Sequence, residues 1–227
     1  MDEQVQDKKI SGMSIAPRLK DTLSDKEYWY VDDWIKLEQD NFKDWETAIK
    51  IFNDRIHFRY LGPIEDLILK DERIFREFRH RRYGFSIMAL NCLLIETLAQ
   101  FYDGLKESPS RTNQIFYTDF LNQKSLVLKA IFTDRSAAYI FFKTIRCGIL
   151  HQAETKENSI IRYSKLNDID CPFELLADNM SIIIYRKPFQ KYLNEEFNTY
   201  KQTLQNKSDA TLVENFKLKM GYICRTK

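Results

Sequence analysis

Six glycines and five prolines are all that punctuate 227 residues, and this scarcity of breakers constrains the fold more than any other feature of the chain. A many-turned β architecture needs such residues at its bends, so their rarity favours helices. Two stretches carry the matching period. Ile49, Phe52, Ile56 and Tyr60 recur at i, i+3, i+7 and i+11. Ala138, Phe141, Phe142, Ile145 and Ile149 recur at i, i+3, i+4, i+7 and i+11, on one face of a helix expected over about 134–150. A third stretch, Tyr83 to Leu105, is apolar on most sides, which marks a central helix.

The remaining segments fit around these. Ser24 and Glu27 have capping-box spacing and open a helix read as far as Tyr60. Gly62-Pro63 ends it and starts a short helix through Leu69. Another helix falls near Gln114–Asn122. SIIRYS (159–164) and SIIIYR (181–186) read as two short antiparallel strands around a loop that holds Cys171-Pro172. Helices then run from Pro188 to about Leu204 and from Thr211 to about Tyr222. Residues 1–23 read as a loose arm, and 24–227 as one domain with a core at about 45–165 and a C-terminal extension at 166–227. The expected fold class is all-α: a helical bundle with a small β-hairpin and extra C-terminal helices.

Composition narrows the function classes. With 44% hydrophobic and 14% aromatic residues, the chain can bury one sizeable core. A net charge of +2 announces no nucleic-acid partner, so any basic surface must be local. MDEQVQDKK has no apolar leader. The stretch Ile87 to Ala99 is interrupted by Asn91 and Glu96 and reads as too short and too polar for a membrane span. The expectation is a soluble cytoplasmic protein with no membrane partner. Four scattered cysteines without a CxxC pair read as reduced thiols rather than a zinc site or a disulfide framework.

The three histidines are a small inventory. His57 and His80 lie on expected helices among charged and aromatic neighbours and read as packing or surface residues. No HExxH, Gly-rich phosphate loop or G-x-S-x-G elbow is present, so neither a metal nor a cofactor is expected. What remains is FFKTIRCGILHQAETK, from Phe141 to Lys156, with Arg146 and His151 at the end of an amphipathic helix. A neutral imidazole can take the proton of a ribose 2′-OH. A guanidinium can grip the neighbouring phosphate through two hydrogen bonds and stabilise its growing charge. The same pair at a helix C-terminus would also complement the helix dipole. Five residues on an ideal helix turn through about 140°, so the two do not share a face. Either Gly148 loosens the last turn, or two copies of this helix end meet across a twofold axis, which accounts for the spacing without strain.

The segment IRCGILHQAETK resembles the terminal motif of HEPN domains, in which an Arg and a His are separated by four to six residues. YGFSIMALNCLLIETLAQFYDGL (83–105) resembles the central helix that precedes that motif, and NDRIHFRYLGPIEDLI (53–68) is similar to the entry region of bacterial HEPN-like proteins. The resemblance covers roughly residues 45 to 165. It implies a four- to five-helix bundle, frequent homodimers and often metal-independent ribonuclease activity in toxins and antiviral defence; some members only bind or scaffold. It makes Arg146 the phosphate-contacting arginine and His151 the catalytic histidine. Family members often carry Asn directly after the Arg, where this chain has Cys147, and this favours the binding-module alternative. Toxins of the family often carry a Tyr two residues after the His, where this chain has Ala153, so regulation through that Tyr is not expected.

Supporting residues follow. Glu96, a carboxylate inside an apolar helix, either pairs with Arg146 and orients it or reaches the surface. Gln152, Thr155 and Lys156 either line a phosphate site or form an exposed helix end. Arg73, Arg76, Arg79, Arg81 and Arg82, interleaved with aromatics, either track an RNA backbone, with Arg79 and Arg82 as substrate contacts, or form a solvated face. The reading is a HEPN-type endoribonuclease acting on RNA as a homodimer, with an antitoxin or other regulatory protein as a further partner.

Overall fold

The computed structural model describes residues 12–19 and 27–225. The fold is mainly helical, at 62% helix, with a two-stranded hairpin and a mixed three-stranded sheet, so it is not purely all-α. Strand β1 (Ser14–Pro17) pairs antiparallel with β2 (Tyr28–Tyr30). Residues 14–17 are therefore a strand and not part of a loose arm. Trp29 explains the anchoring, because its indole N–H donates to the buried Asp54 carboxylate at 2.8 Å. The expected Ser24 cap lies outside the described residues. The helix expected from there to Tyr60 is instead β2, α1 (Val31–Ile35), a turn, and then α2 (Phe42–Ile56), whose first turn is capped by the Asn41 side chain.

Gly62-Pro63 does not break the helix. Helix α2 runs through a π turn (His57–Leu61) directly into α3 (Gly62–Phe78). A proline inside a helix removes one donor and crowds the carbonyl four residues back. The wider π turn, closed by the Gly62 N–H on the His57 carbonyl, absorbs both effects. Helix α3 ends on Arg79, in the left-handed conformation.

Helix α4 (Gly84–Tyr102) is the centre of the bundle: α3 and the two C-terminal helices pack around it, and α2 reaches it through Phe52 and Phe101. Among the described residues it is the helix long and apolar enough by composition to cross a membrane, contrary to the sequence reading of that stretch. In this fold its apolar side chains fill the core: Ile87, Met88, Leu94, Ile95, Leu98 and Phe101 are fully buried. Phe52 is the hub of the aromatic core, 4.7 Å from Phe101 and 5.4 Å from Phe216 between ring centroids. Helix α5 (Asn113–Asp119) continues as a π turn (Phe120–Lys124).

The amphipathic helix expected over 134–150 is present in three consecutive parts: α6 (Arg135–Ile140), a π turn (Phe141–Arg146) and α7 (Cys147–Gln152). Its apolar stripe is buried as expected. Strands β3 (Ile160–Arg162), β4 (Phe173–Leu175) and β5 (Ile182–Tyr185) form the second sheet in the order β3-β5-β4. The two strands anticipated there, β3 and β5, are parallel rather than antiparallel. The intervening segment makes its own strand, β4, which takes the hairpin position against β5 and leaves β3 the other edge. Phe132 stacks on Phe173 of this sheet (4.7 Å) and meets Phe141 of the π turn edge-on (5.6 Å), and Phe141 stacks on Phe189 (5.3 Å), so a chain of rings joins the sheet to the π turn and to α8 (Arg186–Gln205). Helix α9 (Ala210–Ile223), capped by Asp209, completes the bundle.

One buried carboxylate locks the C-terminal helices to the rest. Glu196 on α8 is fully buried and accepts the Leu126, Val127 and Leu128 amides at 3.0, 2.6 and 3.0 Å, together with the Tyr102 hydroxyl.

Candidate active site

Arg146 stands where the π turn gives way to α7, and its guanidinium is held on both sides. Nη2 donates to Glu96 Oε2 at 2.6 Å, so the apolar-helix carboxylate has the partner that its burial demands. Nη1 meets His151 Nε2 at 3.2 Å. Asn113 Nδ2 reaches the other Glu96 oxygen at 3.4 Å. The Phe142 ring flanks the guanidinium, 5.4 Å away. Burial works against the Arg146 charge, but the hydrogen bond and charge of Glu96 outweigh it and hold the guanidinium above its ordinary pKa.

The pair meets within one chain. The junction of π turn and α-helix and the reach of the arginine side chain close the angle that an ideal helix would leave open. Because Arg146 can only donate, the contact is a hydrogen bond in the tautomer whose lone pair lies on Nε2. His151 is exposed, whereas the Arg146 side chain is only 11% exposed.

Gly148 has a different task from the one its sequence position suggested. It stays helical, and an added Cβ would lie 2.5 Å from the Glu154 carbonyl oxygen. The missing side chain lets residues 154–156 fold back across the helix after Ala153, which takes the left-handed conformation at the C-cap. The Lys156 amide then caps the Thr144 carbonyl at 2.9 Å. This turn fixes the end of α7 that carries His151.

The other expected contacts divide. Gln152 is exposed on the same helix end, and Lys156 is half-buried. The Thr155 hydroxyl is spent on the Ser159 carbonyl at 2.6 Å. Thr155 also lines a groove of about 400 Å³ with Arg81, Arg82, Arg162 and Arg186. Arg79 and Arg82 are exposed, and Arg82 Nε donates to His80 Nε2 at 2.9 Å. His57 packs edge-on against Phe58. Arg73 is exposed, and Arg76 makes an i,i+4 pair with Glu72. Arg81 is structural: with Arg186 it converges on the buried Asp71, which also accepts the Arg82 and Tyr83 amides at 2.8 and 2.9 Å. Burial alone would raise the Asp71 pKa, but these amides and cations bring it below the ordinary value. Nothing in a charged helical run distinguishes Asp71 from its exposed neighbours, and sequence reasoning missed it.

No family model matches the sequence, and no curated protein or solved structure matches it significantly. The case for a function therefore rests on these side chains. Among the described residues, no three His, Cys, Asp or Glu side chains are grouped to hold a metal. Burial pushes the Cys92 thiol, beneath the site, up to about 12, which leaves it unreactive.

Proposed function

We propose that the chain is a HEPN-type endoribonuclease that cleaves RNA without a metal, with His151 as general base and Arg146 as phosphate clamp. The observation that carries this reading is the direct Arg146–His151 contact, with the guanidinium oriented by Glu96 and the imidazole open to solvent. A phosphate arriving between the two takes the Nη1 donor and releases the Nε2 lone pair. His151 then removes the proton of the adjacent ribose 2′-OH, whose oxygen attacks phosphorus. The bond to O5′ breaks, and the net proton transfer from 2′-OH to O5′ passes through His151 and water. The products are a 2′,3′-cyclic phosphate and a 5′-OH. Charge gathering on the phosphate is met by Arg146. The groove beside Thr155, with Arg82 and Arg162, supplies a route for the flanking backbone. The active form is a homodimer, in a defence or toxin setting that includes a regulatory protein partner.

A non-catalytic HEPN-like binding module is the second reading. It is favoured by the same ion pair, because a guanidinium already matched to Glu96 and largely buried has less to offer a phosphate. Cleavage of labelled RNA in EDTA separates the two. Wild type should produce cyclic-phosphate ends and leave DNA intact. His151→Ala should be slower by a factor on the order of 10² to 10⁴. If the variant cleaves as fast as wild type, or neither cleaves, the enzyme reading fails.

A further inference from the structure

A second cluster of charge lies on the other helices of the bundle. Arg55 on α2, Arg59 on the following π turn and Lys219 on α9 line a cavity of about 150 Å³, walled on the α4 side by Thr97, Gln100 and Phe101. Each cation rests on neutral oxygen. Arg55 and Arg59 both donate to the Ile15 carbonyl, and Lys219 donates to Gln100 Oε1 at 2.6 Å and to the Lys106 carbonyl at 2.8 Å. Among the described residues, no carboxylate makes an ion pair with any of the three. Lys219 is nevertheless only 5% exposed. Buried charges are ordinarily paired, and like charges gathered in one place repel. Burial, and then Arg55, push Lys219 down to about 8 against the smaller opposing effect of the Glu107 charge, while burial, and then Arg59, push Arg55 down to about 10.

We propose that this cavity binds one small tetrahedral oxyanion, a phosphate that is either free or carried as a compact monoester. Two guanidiniums and an ammonium supply the forked and point-charge donors suited to phosphate oxygens. The Tyr60 and Thr97 hydroxyls, 2.8 Å apart, add polar wall. The volume exceeds that of a few waters, at roughly 30 Å³ each, but falls short of the roughly 300 Å³ at which drug-sized ligands begin. It therefore suits a single phosphate group. The bound anion would tie α9 to α2 and α4 and neutralise the repulsion. None of its ligands belongs to the Arg146 site, so the proposal stands whether or not the chain cleaves RNA.

The test is thermal unfolding of the full chain with increasing inorganic phosphate, with potassium chloride holding ionic strength constant. Wild type should show a rise in Tm that follows the logarithm of phosphate concentration above Kd, on the order of 5–10 °C at a hundredfold excess. Lys219→Met and Arg55→Met should abolish this logarithmic rise. Phosphate also stabilises proteins generally by exclusion from their surfaces, an effect that grows about linearly with concentration. A rise that is linear throughout, or is equal in wild type and both variants, overturns the site. Should a variant fail to fold, calorimetric titration of wild type with phosphate decides, and no binding heat at any temperature overturns it. Competition with methyl phosphate tells the two sources apart: displacement of phosphate admits a monoester, and no displacement assigns the site to the free ion. Acetate competing as strongly as methyl phosphate would overturn the tetrahedral assignment.

Discussion

Removing Glu96 should damage both stability and the site, and the structure fixes the scale. The carboxylate meets Arg146 through one charge-assisted hydrogen bond of 2.6 Å, with side-chain exposures of 15% and 11%. At an effective dielectric near 20, charges about 4 Å apart attract by about 4 kcal/mol, and desolvation of both groups offsets much of that. Breaking a fully buried pair by deleting one partner costs about 3–5 kcal/mol. Here the arginine lies beside the exposed His151 and can turn towards water, so Glu96→Gln or Arg146→Met alone should cost about 2–3 kcal/mol. The double variant should be less destabilised than the sum of the two by about 1.5–2.5 kcal/mol, because the second change removes a charge that the first left unpaired. Urea unfolding of the four proteins, extrapolated linearly to water, measures the coupling. A coupling below about 0.5 kcal/mol would show that Glu96 does not hold Arg146 in solution and would refute the reasoning. If the chain is the proposed ribonuclease, Glu96→Gln should also slow cleavage by up to about 10²-fold, the scale of a misplaced catalytic group.

Gly148→Ala tests the fold-back at the end of α7. On an open helix this change stabilises by about 1 kcal/mol, but a Cβ 2.5 Å from the Glu154 carbonyl should reverse the sign and cost about 1–3 kcal/mol, read as a drop in Tm of several degrees. A variant more stable than wild type would place residues 154–156 elsewhere. Lys219 gives a pH signature. With a folded pKa of about 8 against 10.5 unfolded, the unfolded chain binds the extra proton between those values, so stability should rise with pH there. Cys224, pushed up to about 12 by burial, works in the opposite direction once pH passes 9, so the clean window is about pH 7.5–9. The rise in urea midpoint across that window should be absent in Lys219→Met, and an equal rise in both proteins would assign it to other groups.

The parts of the fold that were legible in the sequence are those where one physical rule acts alone. Ala138, Phe141, Phe142, Ile145 and Ile149 must share a face to be buried, and a carboxylate such as Glu96 in an apolar helix must either find a cation or reach water, two alternatives between which the Arg146 contact decides. What stayed hidden depends on two distant segments at once. Ile160–Arg162 and Ile182–Tyr185 have the same composition whether paired parallel or antiparallel, and only the intrusion of Phe173–Leu175 decides between them. Pro63 reads as a break because its missing donor is local, while the π turn that tolerates it is held by packing of the long helix against α4. Asp71 and Glu196 look like ordinary surface acids, yet Asp71 is matched by the distant Arg186 and Glu196 collects amide donors from a loop far away in the chain. The same limit applies to function. The Arg146–His151 pair is adjacent in sequence and visible there, but the Arg55, Arg59 and Lys219 cluster spans more than half the chain and exists only once α9 has docked. A site built from one helix end can be read from its motif. A cluster gathered from separate helices has no motif, and its mark is physical: like charges around one cavity, with Lys219 buried and no carboxylate in an ion pair with any of them among the described residues.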